Sequence, residues 1–558
     1  MERTLPEPWR ERYVHPCQWD QTFEPLTMTD LFAQAARKFG NDPLVDFYGR
    51  RYSYAEHFRE ARAFAAGLQA RGIGRGDRVA LFLPNVPIYV PAYFGVMIAG
   101  AVAVNFSPLY SAEELEAQVA DSGARLMVTV DAASLLPTAL KVLRNSALEG
   151  VISGSLPRML PTLKGLAFRL FKRGDLAPIP KSADISTWED ALGDAEPAPA
   201  DYGPDDLALL QYTGGTTGTP KGAMLTHQNL SANARQIEAV DPHRNERDMI
   251  AGVLPLFHIF ANATVLNRTI YNGGCMALLP RFDAAQCLKM IERTRATSMP
   301  GVPTMYQALL DDPSLAGTDF TTLRTCISGG APLPMPLKER FEDRTRAALI
   351  EGYGLTESGI VSTNPYEGGE KPGTIGQPLP GTRLRLLDKE DPSKDAAPGD
   401  AGELAISGPQ VMLGYWNRPD TAAHAFAERD GERWLRTGDI ARIDEDGFVR
   451  IVDRSKDMIA VGGFKVFPSQ VEAVLVEHPA VKEALVIGVL DDYYGEMPRA
   501  FVTLQDAAGG EELRDWLNAR VGKHERVDSV VVRESLPRTM VGKLDRKALR
   551  AEVVDAAE

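Results

Sequence analysis

The chain has 558 residues, 44% of them apolar and 24% charged, which excludes a fibre or a largely disordered chain and gives enough length for two or more domains. A formal net charge of −14, from 61 basic and 75 acidic residues, argues against broad nucleic-acid binding. Cys17, Cys275, Cys287 and Cys326 are scattered and form no Cys-x-x-Cys pair, so neither a disulfide framework nor a structural zinc site is expected.

The opening residues, Met1 to Trp9, carry no basic segment followed by an apolar one, which predicts a cytoplasmic protein. From about Met28 to Val130 helical patterns, such as Tyr54 to Arg71, alternate with short Val/Ala/Leu runs, the pattern of an α/β fold. Val79 to Ala112 has no charged residue and is long enough to span a bilayer. Pro84, Pro87, Pro91, Gly95 and Gly100 divide it, however, and predict strand Val79–Leu83, helix Ile88–Ala99 and strand Ala101–Phe106 in a core.

Leu156 to Arg173 stands apart, with Arg158, Lys164, Arg169, Lys172 and Arg173, no acid, and Leu160, Leu163, Ala167, Leu170 and Phe171 at helical spacing. Such a helix either packs its apolar stripe on its own core or lies on an anionic membrane surface. Pro178 to Pro204 reads as a linker or surface loop. Regular α/β alternation resumes at Leu207 and runs to about Ile360, and Gly376 to Val452 changes to short strands with Gly, Pro and Asp turns. Beyond Asp453 a compact α+β unit is expected, with helices Ser469–Glu477 and Glu511–Val521 and strands Ala484–Val489 and Arg499–Leu504.

The strongest chemical signal is Tyr212-Thr213-Gly214-Gly215-Thr216-Thr217-Gly218-Thr219-Pro220-Lys221-Gly222, which follows an apolar strand at Leu207 to Leu210. Glycines let backbone N–H groups turn inward, hydroxyls add donors and a lysine adds charge, a set that cradles polyphosphate. It is not a Walker loop, which ends in Gly-Lys-Ser/Thr. The alternative for a shorter motif of this kind is an ordinary Gly/Thr-rich surface turn.

With this loop stand Ser328-Gly329-Gly330-Ala331-Pro332, Glu351-Gly352-Tyr353-Gly354-Leu355-Thr356-Glu357, Arg436-Thr437-Gly438-Asp439, Asp453-Arg454-Ser455-Lys456-Asp457-Met458-Ile459 and Met540-Val541-Gly542-Lys543. In this order, from about Met28 to Arg550, the motifs resemble the AMP-forming acyl-CoA synthetases of the adenylate-forming superfamily. The resemblance implies a large N-terminal domain over about 1–453, made of two α/β subdomains and a small β-barrel-like subdomain. A small mobile α+β domain over about 454–558 would follow. It also implies ATP, Mg²⁺ and CoA as cosubstrates: a carboxylate attacks the α-phosphate, pyrophosphate leaves, and a thiolate then displaces AMP from the acyl-adenylate.

By the same resemblance, Thr213 to Lys221 would hold the β- and γ-phosphates, Thr356 the α-phosphate, and Glu357 with Thr217 the Mg²⁺ ion. Gly330, Ala331 and Pro332, with Glu351, Gly352, Tyr353 and Gly354, would form the adenine pocket. Asp439 would bind the ribose hydroxyls, Arg454 would add a second nucleotide contact, and Lys543 would assist adenylation. Lys456 matches the hinge of the small domain, and Gly462 and Gly463 would line a thiol tunnel after it turns. Pro255 to Phe260 and Val302 to Thr304 match the acyl channel, with His258 near the carboxylate.

That neighbourhood has no Arg or Lys to grip a second carboxylate, which predicts a long-chain fatty acid. The open alternatives are a medium-chain, dicarboxylic or aryl acid, transfer to a carrier-protein thiol, and an adenylate-binding protein without turnover. The segment Leu156 to Arg173 falls at an insertion typical of long-chain members, which makes a peripheral contact with anionic membrane a partner reading alongside a homodimer. The chain departs from the family at Gly214, often Ser, at Val527, often Pro, and at Asp545, often neutral or basic.

Overall fold

The computed structural model describes residues 7–213, 220–389, 391–454, 457–461, 464–491, 493–539 and 542–555. Among these, the strands assemble into four sheets. The first carries the order Ile185–Thr187, Gly150–Gly154, Leu126–Val130, Arg78–Leu81, Val102–Asn105, Leu207–Thr213 and Lys221–Thr226, all parallel except the last. Its strands Val102–Asn105, Leu126–Val130 and Gly150–Gly154 are buried along their whole length, as strands covered on both faces must be. The uncharged stretch is such a unit: strand Arg78–Leu81, buried helix Tyr89–Ile98 and strand Val102–Asn105. Among the described residues no helix is long and apolar enough to cross a membrane.

The second sheet repeats the design. Ala348–Leu355, Thr325–Ser328, Ser298–Gly301, Met249–Gly252, Cys275–Leu278 and Pro43–Phe47 lie parallel, flanked by the antiparallel strands Arg50–Ser53, Gly359–Thr363 and Gln377–Pro378. Helix starts carry polar caps that satisfy otherwise orphaned N–H groups, as in the capping boxes Ser53/Glu56 and Ser111/Glu114. The β-rich stretch forms a third, antiparallel sheet from Arg383–Leu387, Gly402–Ser407, Glu432–Ile443, Phe426–Arg429 and Val449–Arg454.

The small C-terminal unit has its own core, in which Ile459, Val466, Val471, Leu475, Val486 and Val502 pack with Leu513 and Leu517. Its helices are Pro468–Leu475 and Gly510–Asn518, and strands Val481–Asp491 and Gly495–Leu504 form a long hairpin.

Two expectations are corrected. The linker at 178–204 is partly ordered: Ile185–Thr187 adds an edge strand, and Trp188 is buried against Phe64, ring centroids 4.5 Å apart. The segment Leu156 to Arg173 is two helices, Leu156–Met159 and Thr162–Phe171, because Pro161 lacks the N–H that a continuous helix requires. Of its apolar stripe only Leu160 packs on the core. Leu160 is half-buried, but Leu163 is 82% and Phe171 84% exposed, with Leu166, Ala167 and Leu170 also outward. The buried side of the second helix is Gly165, where a methyl group would lie 2.2 Å from the Pro157 carbonyl oxygen.

Candidate active site

The motif residues gather at the carboxyl ends of the parallel strands, where open α/β sheets place their ligand crevices. Strand Thr325–Ser328 ends into Gly329 to Pro332, Ser298–Gly301 into Val302 to Thr304, and Met249–Gly252 into the segment carrying His258. Strand Ala348–Leu355 is parallel to its neighbour as far as Glu351, then turns into an antiparallel hairpin with Gly359–Thr363. Thr356 and Glu357 occupy the tip of that hairpin.

Thr213 and Lys221 face each other across an antiparallel pair, so the phosphate-loop motif bridges a β-hairpin rather than a strand and a helix. Gly214, Gly215, Thr216, Thr217, Gly218 and Thr219 lie outside the described residues, as do Lys456, Gly462 and Gly463. Arg454 is placed at the end of its strand, paired in register with Asp439.

Asp439 is buried at an irregularity of its strand and accepts a hydrogen bond from the Tyr353 hydroxyl. Its backbone N–H donates to Thr437 Oγ1 at 3.1 Å. The two residues expected at ribose and adenine are therefore one hydrogen-bonded unit. Beside them, burial pushes the Glu351 carboxyl up to about 8, against the lowering effect of the Leu333 backbone N–H and Arg450.

Lys543 reaches this crevice from the small C-terminal unit. A methyl group at Gly330 would lie 2.3 Å from Lys543 Cε and 2.7 Å from Nζ, and Gly330 has φ +81°. Only a glycine there gives both the backbone turn and the room for the lysine. The turn before it is fixed to the large domain, with Thr304 Oγ1 donating to the Gly542 carbonyl at 3.2 Å. Within the turn, Gly542 N–H donates to Thr539 O and Thr539 N–H to Lys543 O.

His258 Nδ1 accepts from the Phe260 N–H at 3.3 Å, which leaves the ring proton on Nε2. Burial, reinforced by the nearby Lys543 charge, pushes this imidazole down to about 3, so it is neutral at pH 7.

The His258 segment is fastened by buried amides that sequence reasoning did not single out. Asn85 Nδ2 donates to Gly252 O and Leu254 O, and its Oδ1 accepts from Leu256 N–H at 2.8 Å. Tyr89 donates to Leu256 O and Gln211 to Phe257 O. Phe260 packs on Gly329, where a methyl group would lie 2.9 Å from its ring. Phe260 also borders a void of about 10 Å³, room for one water at most, together with Ile237, Ile360, Thr264, Thr363 and Tyr366.

Glu357 Oε1 accepts from the Tyr415 hydroxyl at 2.6 Å, and Glu357 O accepts from Met412 N–H at 2.8 Å. No group of three or more His, Cys, Asp or Glu side chains that could hold a metal ion occurs among the described residues. A single carboxylate fits Mg²⁺ only in company with substrate phosphates, the usual way this ion is held beside nucleotides. Tyr415 and the Asn85 lattice are the positions missed. For Tyr415 a signal existed, since Gly414-Tyr415-Trp416-Asn417 puts two aromatics in a glycine turn.

Comparison with known proteins bears on the family and the fold. A family model described as AMP-binding enzyme matches residues 32–416, and one described as AMP-binding enzyme C-terminal domain matches 470–543. The chain is 37% identical to a long-chain-fatty-acid–CoA ligase of Bacillus subtilis (strain 168), covering 98% of both chains. It is 36% identical to a feruloyl-CoA synthase of an Amycolatopsis species, over 90% of this chain and 94% of that one. The crystal structure of ATP-bound MatB from Rhodopseudomonas palustris superposes with a TM-score of 0.81 at 32% identity, over 96% of this chain and 100% of that one.

Proposed function

This chain belongs to the AMP-binding enzyme family, and we propose that within it the chain activates a long-chain fatty acid in two steps, first to acyl-AMP and then to acyl-CoA. ATP and CoA are consumed, and pyrophosphate and AMP are released. The observation that carries the reading is the seating of Lys543 against Gly330 and near His258, which gathers the groups of the first step in one crevice.

In that step the fatty carboxylate, an anion, attacks an anionic phosphate, and charge builds on the α-phosphoryl oxygens. Lys543 offsets that charge, and the Nε2–H of neutral His258 orients the carboxylate. Asp439 and Tyr353 hold the ribose and adenine, Thr213 to Lys221 hold the outer phosphates, and Thr356 faces the α-phosphate. Glu357, with Thr217, would hold Mg²⁺, which when bound neutralises phosphate charge. For the second step the unit over about 454–558 turns about Lys456, withdraws Lys543, and brings Gly462 and Gly463 to the path of the thiol.

Support for a long alkyl chain comes from the Bacillus relative, which the chain matches over 98% of its length. The test is formation of AMP and acyl-CoA with ATP, Mg²⁺ and CoA across acetate, octanoate, oleate, pimelate, benzoate and coumarate. We expect the highest kcat/KM with oleate; a maximum at coumarate or pimelate would overturn the substrate, and AMP without acyl-CoA would overturn the acceptor.

A specific observation supports a membrane partner as well. On helix Thr162–Phe171 the outward Leu163, Leu166, Leu170 and Phe171 are flanked by Lys164, Arg169 and Lys172, a surface complementary to an anionic bilayer that holds the substrate.

A further inference from the structure

We infer that Tyr415 is a positioning residue for the adenylation step, fixing the carboxylate of Glu357 and the ammonium of Lys221 relative to each other. The inference rests on the proposed roles of those two groups, and names a third residue on which both depend.

Residues 411–418 leave the third sheet as a strap that lies along the strand leaving the phosphate loop. Met224 N–H donates to Gly414 O and Leu413 N–H to Met224 O, each at 2.9 Å, while Trp416 N–H donates to Gly222 O at 2.8 Å. The same strap reaches the hairpin tip through Met412 N–H and the Glu357 carbonyl. Its far end is anchored on Asp121. That carboxylate accepts from Tyr212 and from Arg418, each at 2.7 Å, and its carbonyl accepts from Trp416 Nε1 and Asn417 Nδ2, each at 3.1 Å.

Tyr415 sits in the middle of this clamped run and is half-buried. Its hydroxyl donates to Glu357 Oε1 at 2.6 Å, and Lys221 Nζ stands 5.4 Å from its ring centroid, within cation–π range. One side chain thus touches a group from each of two hairpins that no strand pairing joins directly. A phenol that occupies one carboxylate oxygen directs the other, and restricts the rotation of a glutamate at a hairpin tip. An ammonium over the ring is held back from collapsing onto that same carboxylate. Partners of this kind behind a metal-facing ligand typically contribute 10–100-fold in metal affinity.

The test is binding of α,β-methylene-ATP, which cannot be cleaved at the bond this chemistry breaks, measured by calorimetry with Mn²⁺ and again with EDTA. The readout is the enhancement of nucleotide affinity by Mn²⁺, which needs neither turnover nor a fatty acid. Tyr415→Phe keeps the ring and removes one hydroxyl. It should lower the enhancement about 10-fold and leave the metal-free affinity within about twofold of wild type. Glu357→Gln should lower the enhancement at least as much, and Tyr415→Phe should add nothing in that background. Tyr415→Leu, which also removes the ring, should weaken metal-free binding in addition.

Unchanged or increased enhancement in Tyr415→Phe would overturn the inference, the latter by making the phenol a competitor for the metal-facing oxygen. Additive effects in the double variant would overturn it too. If Glu357→Gln itself left the enhancement intact, the role of Glu357 would fall together with that of Tyr415. A loss in Glu357→Gln alone would remove only Tyr415.

Discussion

Glu351 closes the parallel part of its strand at the proposed adenine pocket, and its carboxyl is raised from an ordinary 4.5 to about 8 by burial. A carboxyl raised in the folded state binds its proton more tightly folded than unfolded. The stability it contributes is complete below about pH 4.5 and is lost as pH rises toward 8. Glu351→Gln has the same shape and no titration. The melting temperature of the variant minus that of the wild type should therefore widen by about 2 °C between pH 5 and 8 and level off above. A constant difference across that range would contradict the assignment.

Much of the site's chemistry at this scale is legible in the sequence, because Gly, Thr, Lys and Glu in fixed runs have few other uses. Two departures from the family pattern find structural reasons. Asp545, two residues after Lys543, accepts from Ala548 N–H at 3.0 Å and caps the helix Arg546–Asp555. Val527 donates its N–H to Asn518 Oδ1 at 2.9 Å, a bond a proline there could not make. The cap is a local signal that the sequence holds, an acid directly before a helix, whereas the Val527 bond needs Asn518 of another element and was not legible.

Elements differ in how far periodicity reveals them. The uncharged stretch resolves into strand, helix and strand close to the expected limits, since prolines and glycines punctuate it and only burial on both faces suits such runs. Helix Thr162–Phe171 shows the opposite case. A stripe of leucines with flanking bases reads the same whether it meets a core or a bilayer, and the structure turns it outward. Each apolar side chain moved from water into lipid contributes about 1.5–3 kcal/mol. Replacing Leu163 and Phe171 together by Ser should lower co-sedimentation with phosphatidylglycerol vesicles at least about 10-fold, with circular dichroism unchanged and turnover of a soluble short-chain acid retained. Undiminished sedimentation would contradict the membrane reading.

At the scale of the whole molecule, the large domain and the small C-terminal unit have separate cores, yet the crevice takes groups from both. Three sheets carry the residues proposed for nucleotide and acyl binding, and the small unit brings Lys543 through a turn bonded to Thr304. The motif order made the two-part division legible, but not the contact between the parts. Sequence spacing cannot tell which face of one unit meets the other; the requirement for glycine at Gly330 acquires its meaning only when Lys543 is seen beside it.

In the function proposed above, Lys543 seated beside Gly330 serves adenylation alone and must leave the crevice for thioester formation. The measurement that tests it most directly compares the two half-reactions in Lys543→Ala: oleate-dependent exchange of pyrophosphate into ATP, and formation of oleoyl-CoA from supplied oleoyl-AMP. The first should fall at least about 100-fold, as for removal of a preorganised charge partner, with the second within about threefold of wild type. Equal losses in both half-reactions, or undiminished exchange, would contradict it.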